Sequence, residues 1–159
     1  MCFKKLDELD VSYSNYELGI ERYVMGIWDL HIYRHHVFRV DLADSLVHKI
    51  NQVNASLGIA VQSIDLNDYR HNFRSSESLN IVIEENEYPK WVWIYGIKAL
   101  GDTYFSGWLR SRLTVRTIDN LRVVFVADSH QVYHDVFCKS SAPFYQSTVS
   151  FQTEIEQLS

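Results

Sequence analysis

The chain predicts an α+β fold: one domain with a mostly antiparallel sheet and two to four helices. Three observations carry that expectation. The length, 159 residues, is near the commonest size for one domain. With six glycines, two prolines and no Gly/Ser- or Pro-rich stretch, nothing reads as a linker, so residues 1–159 are taken as a single globular domain. Finally, several short segments alternate apolar and polar residues, and the strands so predicted outnumber the helices without alternating regularly with them.

Taken in order, residues 6–21 read as partly helical. In YVMGIWDLHIYRHHVFRVDL, at 23–42, Trp28, Leu30 and Ile32 alternate with Asp29, His31 and Tyr33. Phe38, Val40 and Leu42 do so against Val37, Arg39 and Asp41, which predicts two strands turning at 34–36. That turn lacks Gly, Asn and Pro, and a continuous helix from about residue 17 is the rival reading. Residues 42–58, LADSLVHKINQVNASLG, form the clearest helix. Leu42, Leu46, Ile50 and Val53 recur at three to four residues, and Gly58 stands where a C-terminal cap belongs.

IAVQSI, at 59–64, predicts a strand, and DLNDYRHNFRSSES a polar loop. LNIVIE, at 79–84, predicts another strand before an acidic turn. KWVWIYGIKAL and GWLRSRLTVRT both alternate and predict strands. LRVVFVAD, at 121–128, is a nearly uninterrupted apolar run, as in a strand buried on both faces. Asp128 or Ser129 then caps a helix, and the chain closes with a turn followed by a strand or short helix.

Composition excludes some functions. The formal charge is −5, and non-specific grip on nucleic acid comes mainly from excess Lys and Arg, so nucleic acid is expected only through a local arginine patch or a partner. No apolar run approaches the length of a membrane span, and no membrane partner is expected. MCFKKLDELD holds no apolar signal segment, so the chain is read as cytoplasmic, with Cys2 and Cys138 reduced. The Gly-rich phosphate loops and the Gly-x-Ser-x-Gly elbow are absent.

Four groups of residues remain as candidates for function. In ADSHQVYHDVFC, at 127–138, His130 and His134 lie four apart on a predicted helix. With Asp128 or Cys138 they would hold zinc, since imidazole and thiolate suit that ion. Gln131 stands where a zinc protease would carry its Glu, and the competing reading is a polar border to a buried helix face. Asp128, at the end of a buried strand, also occupies the kind of position where α/β sheets bind ligands.

The second group is Arg110, Arg112 and Arg116, predicted on one face of a strand with Thr114. Their charges need carboxylates or phosphates, from a partner or from Glu84, Glu85 and Glu87. The third is Trp91, Trp93 and Tyr95, read first as core, next as anchors of an interface and last as a stacking platform for single-stranded bases. The fourth is YRHNFR, at 69–74, where Arg70, His71 and Arg74 would bind phosphate or perform acid–base work on RNA, with Arg34, His35 and His36 in another predicted turn as further groups; the competing reading is a solvated loop.

The leading expectation is a non-catalytic cytoplasmic subunit or binding module without cofactor. It docks on a larger protein partner through Trp91, Trp93, Tyr95, Arg110, Arg112 and Arg116, within a nucleic-acid-handling or defence-type complex. The alternative is a small metal-dependent hydrolase or nuclease using His130 and His134 with Asp128 or Cys138 around zinc.

Overall fold

The computed structural model describes residues 16–84, 87–114 and 119–153. In chain order these form α1 (Tyr16–Asp29), β1 (Arg34–Phe38), α2 (Asp44–Ser56), β2 (Ala60–Asp65), α3 (Glu77–Ile83), β3 (Lys90–Tyr95), α4 (Thr103–Thr114) and β4 (Leu121–Ala127). A short α5 (His130–Tyr133) runs into a π-helical turn (His134–Cys138), and β5 (Val149–Ser150) follows. The strands make one sheet in the order β2-β3-β4-β1-β5, and every pairing is parallel.

This all-parallel sheet corrects the expectation of a mostly antiparallel α+β domain. The error lies in two helices read as strands. In α4 the buried positions Phe105, Leu109 and Leu113 recur at four residues, which is a helical stripe. A window opening at Gly107 misses Phe105 and sees Leu109 and Leu113 at even steps, which fit both periods. Asp102 starts the helix, its carboxylate accepting from the Tyr104 N–H at 2.9 Å. In α3, Leu79 and Ile83 are the buried pair, and the Ser76 hydroxyl accepts from the Leu79 N–H at 3.3 Å. With both segments helical, strand and helix alternate, and such βαβ units build parallel sheets.

Two smaller differences lie near the start of the described residues. The alternating run at 27–33 begins as the last turn of α1, the helix that stood as the rival reading. Residues 34–36, expected as a turn, are the first half of β1.

The sheet lies between two helical layers. On one side α1 and α2 bring Ile20, Val24, Ile27, Leu46 and Ile50 onto Trp91, Trp93, Val124 and Val126. On the other, α3, α4 and the π turn bring Leu79, Phe105, Leu109 and Phe137 onto Val92, Ile94, Val123 and Phe125. Each such side chain, fully buried, stabilises the fold by about 1.5–3 kcal/mol. The chain crosses from β1 to β2 over the first side and returns through β3 and β4 on the second. Opposite directions on opposite faces are what a single hand of crossover requires.

Two buried cations close helix ends. Arg122, 1% exposed, donates to the carbonyls of Ile27 and Trp28 at the C-terminus of α1 and lies between the Trp28 and Tyr33 rings. Lys90 donates through Nζ to the carbonyls of Ile81 and Glu84, both at 2.9 Å, at the end of α3. A cation at a helix C-terminus meets both the unpaired carbonyls and the negative end of the helix dipole.

Candidate functional site

The residues expected to hold zinc do not come together. Asp128 is paired with Arg39 at 2.9 Å, and the His130 ring lies 4.2 Å from that of Phe38. His134 has its Nδ1 3.8 Å from Asp135, and Cys138 lies beside the Tyr133 hydroxyl. The π winding from His134 onward also takes Cys138 off the α-helical four-residue step from His134. Among the described residues, no group of three or more His, Cys, Asp or Glu side chains is placed to hold a metal ion.

Asp128 nevertheless stands where its place after a buried strand implied. The segments after β1 and β4 leave to opposite faces, so the crevice beyond Phe38 and Ala127 is a topological switch point. Arg39 spans it, bound to Asp128 and set 5.4 Å from the Tyr95 ring. Phosphate is unwelcome there. The loop from 39 to 43 has no glycine, Ala43 offers no side-chain cap, and Asp41 and Asp44 set negative charge at the start of α2.

The aromatic and arginine residues divide. Trp91 and Trp93 are fully buried under α1 and α2, so neither is an interface anchor of this chain; strand alternation places them together, but toward the core. Tyr95 is half-buried beneath Arg39, and burial raises its pKa. Arg110 and Arg112 are exposed on α4, not on a strand. Two residues apart on a helix means about 200° around its axis, so they leave in different directions. Arg110 turns toward Arg34, whose pKa is lowered by burial and then by that neighbouring charge. Arg116 lies outside the described residues, as does Glu85.

Helical winding instead assembles a surface across two expected groups. Tyr104, Trp108 and Arg112 follow one another at four-residue steps along α4. The Arg112 guanidinium lies 5.9 Å from the Trp108 ring. From the 69–74 segment, Phe73 stacks on Phe105 at 4.6 Å and 7° and approaches Trp108 at 5.3 Å. Arg74 lies 5.5 Å from the Phe73 ring. Beside them His71, Asn72, Arg74, Ser75 and Tyr104 line a depression of about 330 Å³. Arg34, His35 and His36 do not meet this segment; they are in β1, with His35 buried and His36 hydrogen-bonded through Nδ1 to Thr148 at 2.9 Å.

Elsewhere Arg39 pairs with Asp128, and Lys139 with Asp135 at 2.9 Å. Among the described residues, no carboxylate pairs with Arg74, Arg110 or Arg112. Tyr104, 73% exposed, and Trp108 were missed by the sequence reading, and the four-residue period shared with Arg112 was the available signal.

Fold and surface define a three-layer α/β protein with an all-parallel sheet and an aromatic–arginine patch on one outer helix. Compared with protein-family models, curated proteins and solved structures, the chain matches none. No helix among the described residues is long and apolar enough to cross a membrane.

Proposed function

We propose that the protein is a non-catalytic binding module that docks on a larger protein through Tyr104, Trp108 and Arg112 of α4 together with Phe73 and Arg74. One observation carries the reading: arginines held against aromatic rings with no carboxylate partner among the described residues. Tyr, Trp and Arg are the residues that dominate binding energy at interfaces, because they combine large contact area with directed polar groups. The partner's matching surface carries Asp and Glu, and an apolar side chain of the partner enters the depression beside Tyr104.

The test is native mass spectrometry of the full-length protein drawn gently from its host, beside a Trp108→Ala/Arg112→Glu double variant and an Arg39→Ala control. The expected result is a stoichiometric complex with the wild type and the control, lost in the double variant and weakened by salt. A double variant that keeps its partner at wild-type stoichiometry overturns the reading.

A further inference from the structure

Val149–Thr153, the last described residues, form a strap on the α1–α2 side of the sheet. β5 pairs with β1 at two positions, His35 with Val149 and His36 with Ser150. Beyond it Phe151 turns inward and is buried among Tyr23, His35, Trp91 and Trp93, at ring distances of 5.2–6.1 Å. Two bonds hold this end. The Phe151 N–H donates to the His36 carbonyl at 2.9 Å, and the Gln152 N–H donates to the Tyr23 hydroxyl at 2.7 Å.

His35 is the polar group beneath the strap. It is 2% exposed, and its Nδ1 is buried with no hydrogen-bond partner among the described residues. A neutral imidazole tolerates this, whereas an imidazolium donates from both nitrogens and requires acceptors. The charges that act on it are cations: His36 when protonated, and Arg122 of β4. Tyr23 of α1 stays neutral, burial pushing its pKa up to about 12. β3 brings two indoles to the shared Phe151 ring, and Val149–Thr153 hold no charged residue. All of these groups are neutral or positive, so a charged His35 finds no counterion among them.

We infer that Val149–Thr153 is an acid-released strap: a proton on His35 is accommodated by lifting Phe151 and admitting water, while the helices and the rest of the sheet stay folded. The strap yields because it is the least held of the elements around His35. On the other side of β1, β4 pairs along the whole strand. Above it, α1 is closed by Arg122 through the carbonyls of Ile27 and Trp28.

Under the closed strap, burial and then the charges of His36 and Arg122 lower the His35 pKa from 6.5 to about 4. With the strap lifted the ring meets water and returns toward 6.5. Closure is therefore fully favoured above pH 6.5 and is lost as pH falls toward 4. By pH 5 the open fraction rises about thirtyfold over its value at pH 8. Departure of Phe151 uncovers the faces of Tyr23, Trp91 and Trp93 that it meets.

The test is amide hydrogen exchange of the full chain at pH 8 and pH 5, read as protection factors so that the intrinsic pH dependence of exchange drops out. The Phe151 and Gln152 amides are expected to lose protection about thirtyfold. Their exchange is also expected to ignore urea below the unfolding transition, whereas that of Val124 and Val126 in β4 rises with it, which separates local opening from global unfolding. In His35→Leu the protection of the strap becomes independent of pH. In Phe151→Ala, with NMR dispersion confirming the fold, the cover is gone and the His35 ring titrates near 6.5 rather than 4. Strap amides that keep their protection at pH 5, or that respond to urea as steeply as β4, overturn the inference. So does a His35→Leu variant that retains the loss, which would make His36 the trigger, or a Phe151→Ala variant whose His35 still titrates near 4.

Discussion

The two sides of the sheet bury similar apolar layers with different chemistry. Toward α1 and α2 the sheet presents Trp91 and Trp93, and polar groups go inside with them. The Trp93 indole N–H donates to Asn51 at 2.8 Å and that of Trp28 to Asn54 at 3.2 Å, while Arg122 and His35 are buried nearby. Toward α3 and α4 the core is phenyl rings. Phe125, Phe137 and Phe144 meet edge to face at 5.3–6.1 Å and require no hydrogen-bond partners. The difference teaches where the aromatic residues are spent. On the indole side Trp28 and Trp93 are tied into the core by polar bonds, while the Trp91 N–H is buried without a partner among the described residues. On the phenyl side Phe105, Leu109 and Leu113 pack the core, Trp108 on the same helix lies half-buried at its edge, and Tyr104 turns outward.

The contrast breaks first at the phenyl cluster. Phe125→Ala removes a ring from a site that cannot collapse and is expected to cost about 3–5 kcal/mol in urea denaturation. On the indole side, Arg122→Met strips donors from the carbonyls of Ile27, Trp28 and Asp119, with an expected cost of about 3 kcal/mol. A cost below about 1 kcal/mol would show that the cation does not cap α1, and the distinction between the sides would fail.

Acid sharpens the comparison, because His35 is on the indole side. Burial, then the charges of His36 and Arg122, lower its pKa from 6.5 to about 4. As pH falls through 6.5 the unfolded chain takes up a proton that the folded protein refuses until about 4. Stability is therefore full above pH 6.5 and declines between 6.5 and 4, by up to about 3 kcal/mol from this group. Denaturation curves of His35→Leu should lose most of that decline. The smallest effect is at the outer stripe. Tyr104→Ala should change stability by less than about 0.5 kcal/mol while weakening capture of the partner, a separation that a purely structural tyrosine would not show.

Local signals were legible wherever one residue did one job. Gly58 ends α2 with φ of +79°, a conformation that suits glycine. The apolar run of β4 is buried throughout, and Ser129 caps the following helix by accepting from the Val132 N–H. The candidate site was half legible. Arg112 and the 69–74 segment were singled out, but the strand reading of 107–117 hid their meeting with Tyr104 and Trp108. Short amphipathic stretches such as 79–84 and 107–117 carry apolar residues at spacings compatible with both periods, and only the partner surface selects one.

By itself the sequence determined the helix at 44–56, the buried strand at 121–127 and the strands at 60–65 and 90–95. Each follows from side-chain period, a cap or an unbroken apolar run, all of which are local properties of the chain. Tertiary structure decided the direction of the strands, the burial of Trp91 and Trp93, and the dispersal of His130, His134, Asp128 and Cys138. It also brought Phe73, with Arg74 beside its ring, against Trp108 from more than thirty residues away. These outcomes depend on which face of one element finds another, and that is settled by packing across the whole sheet.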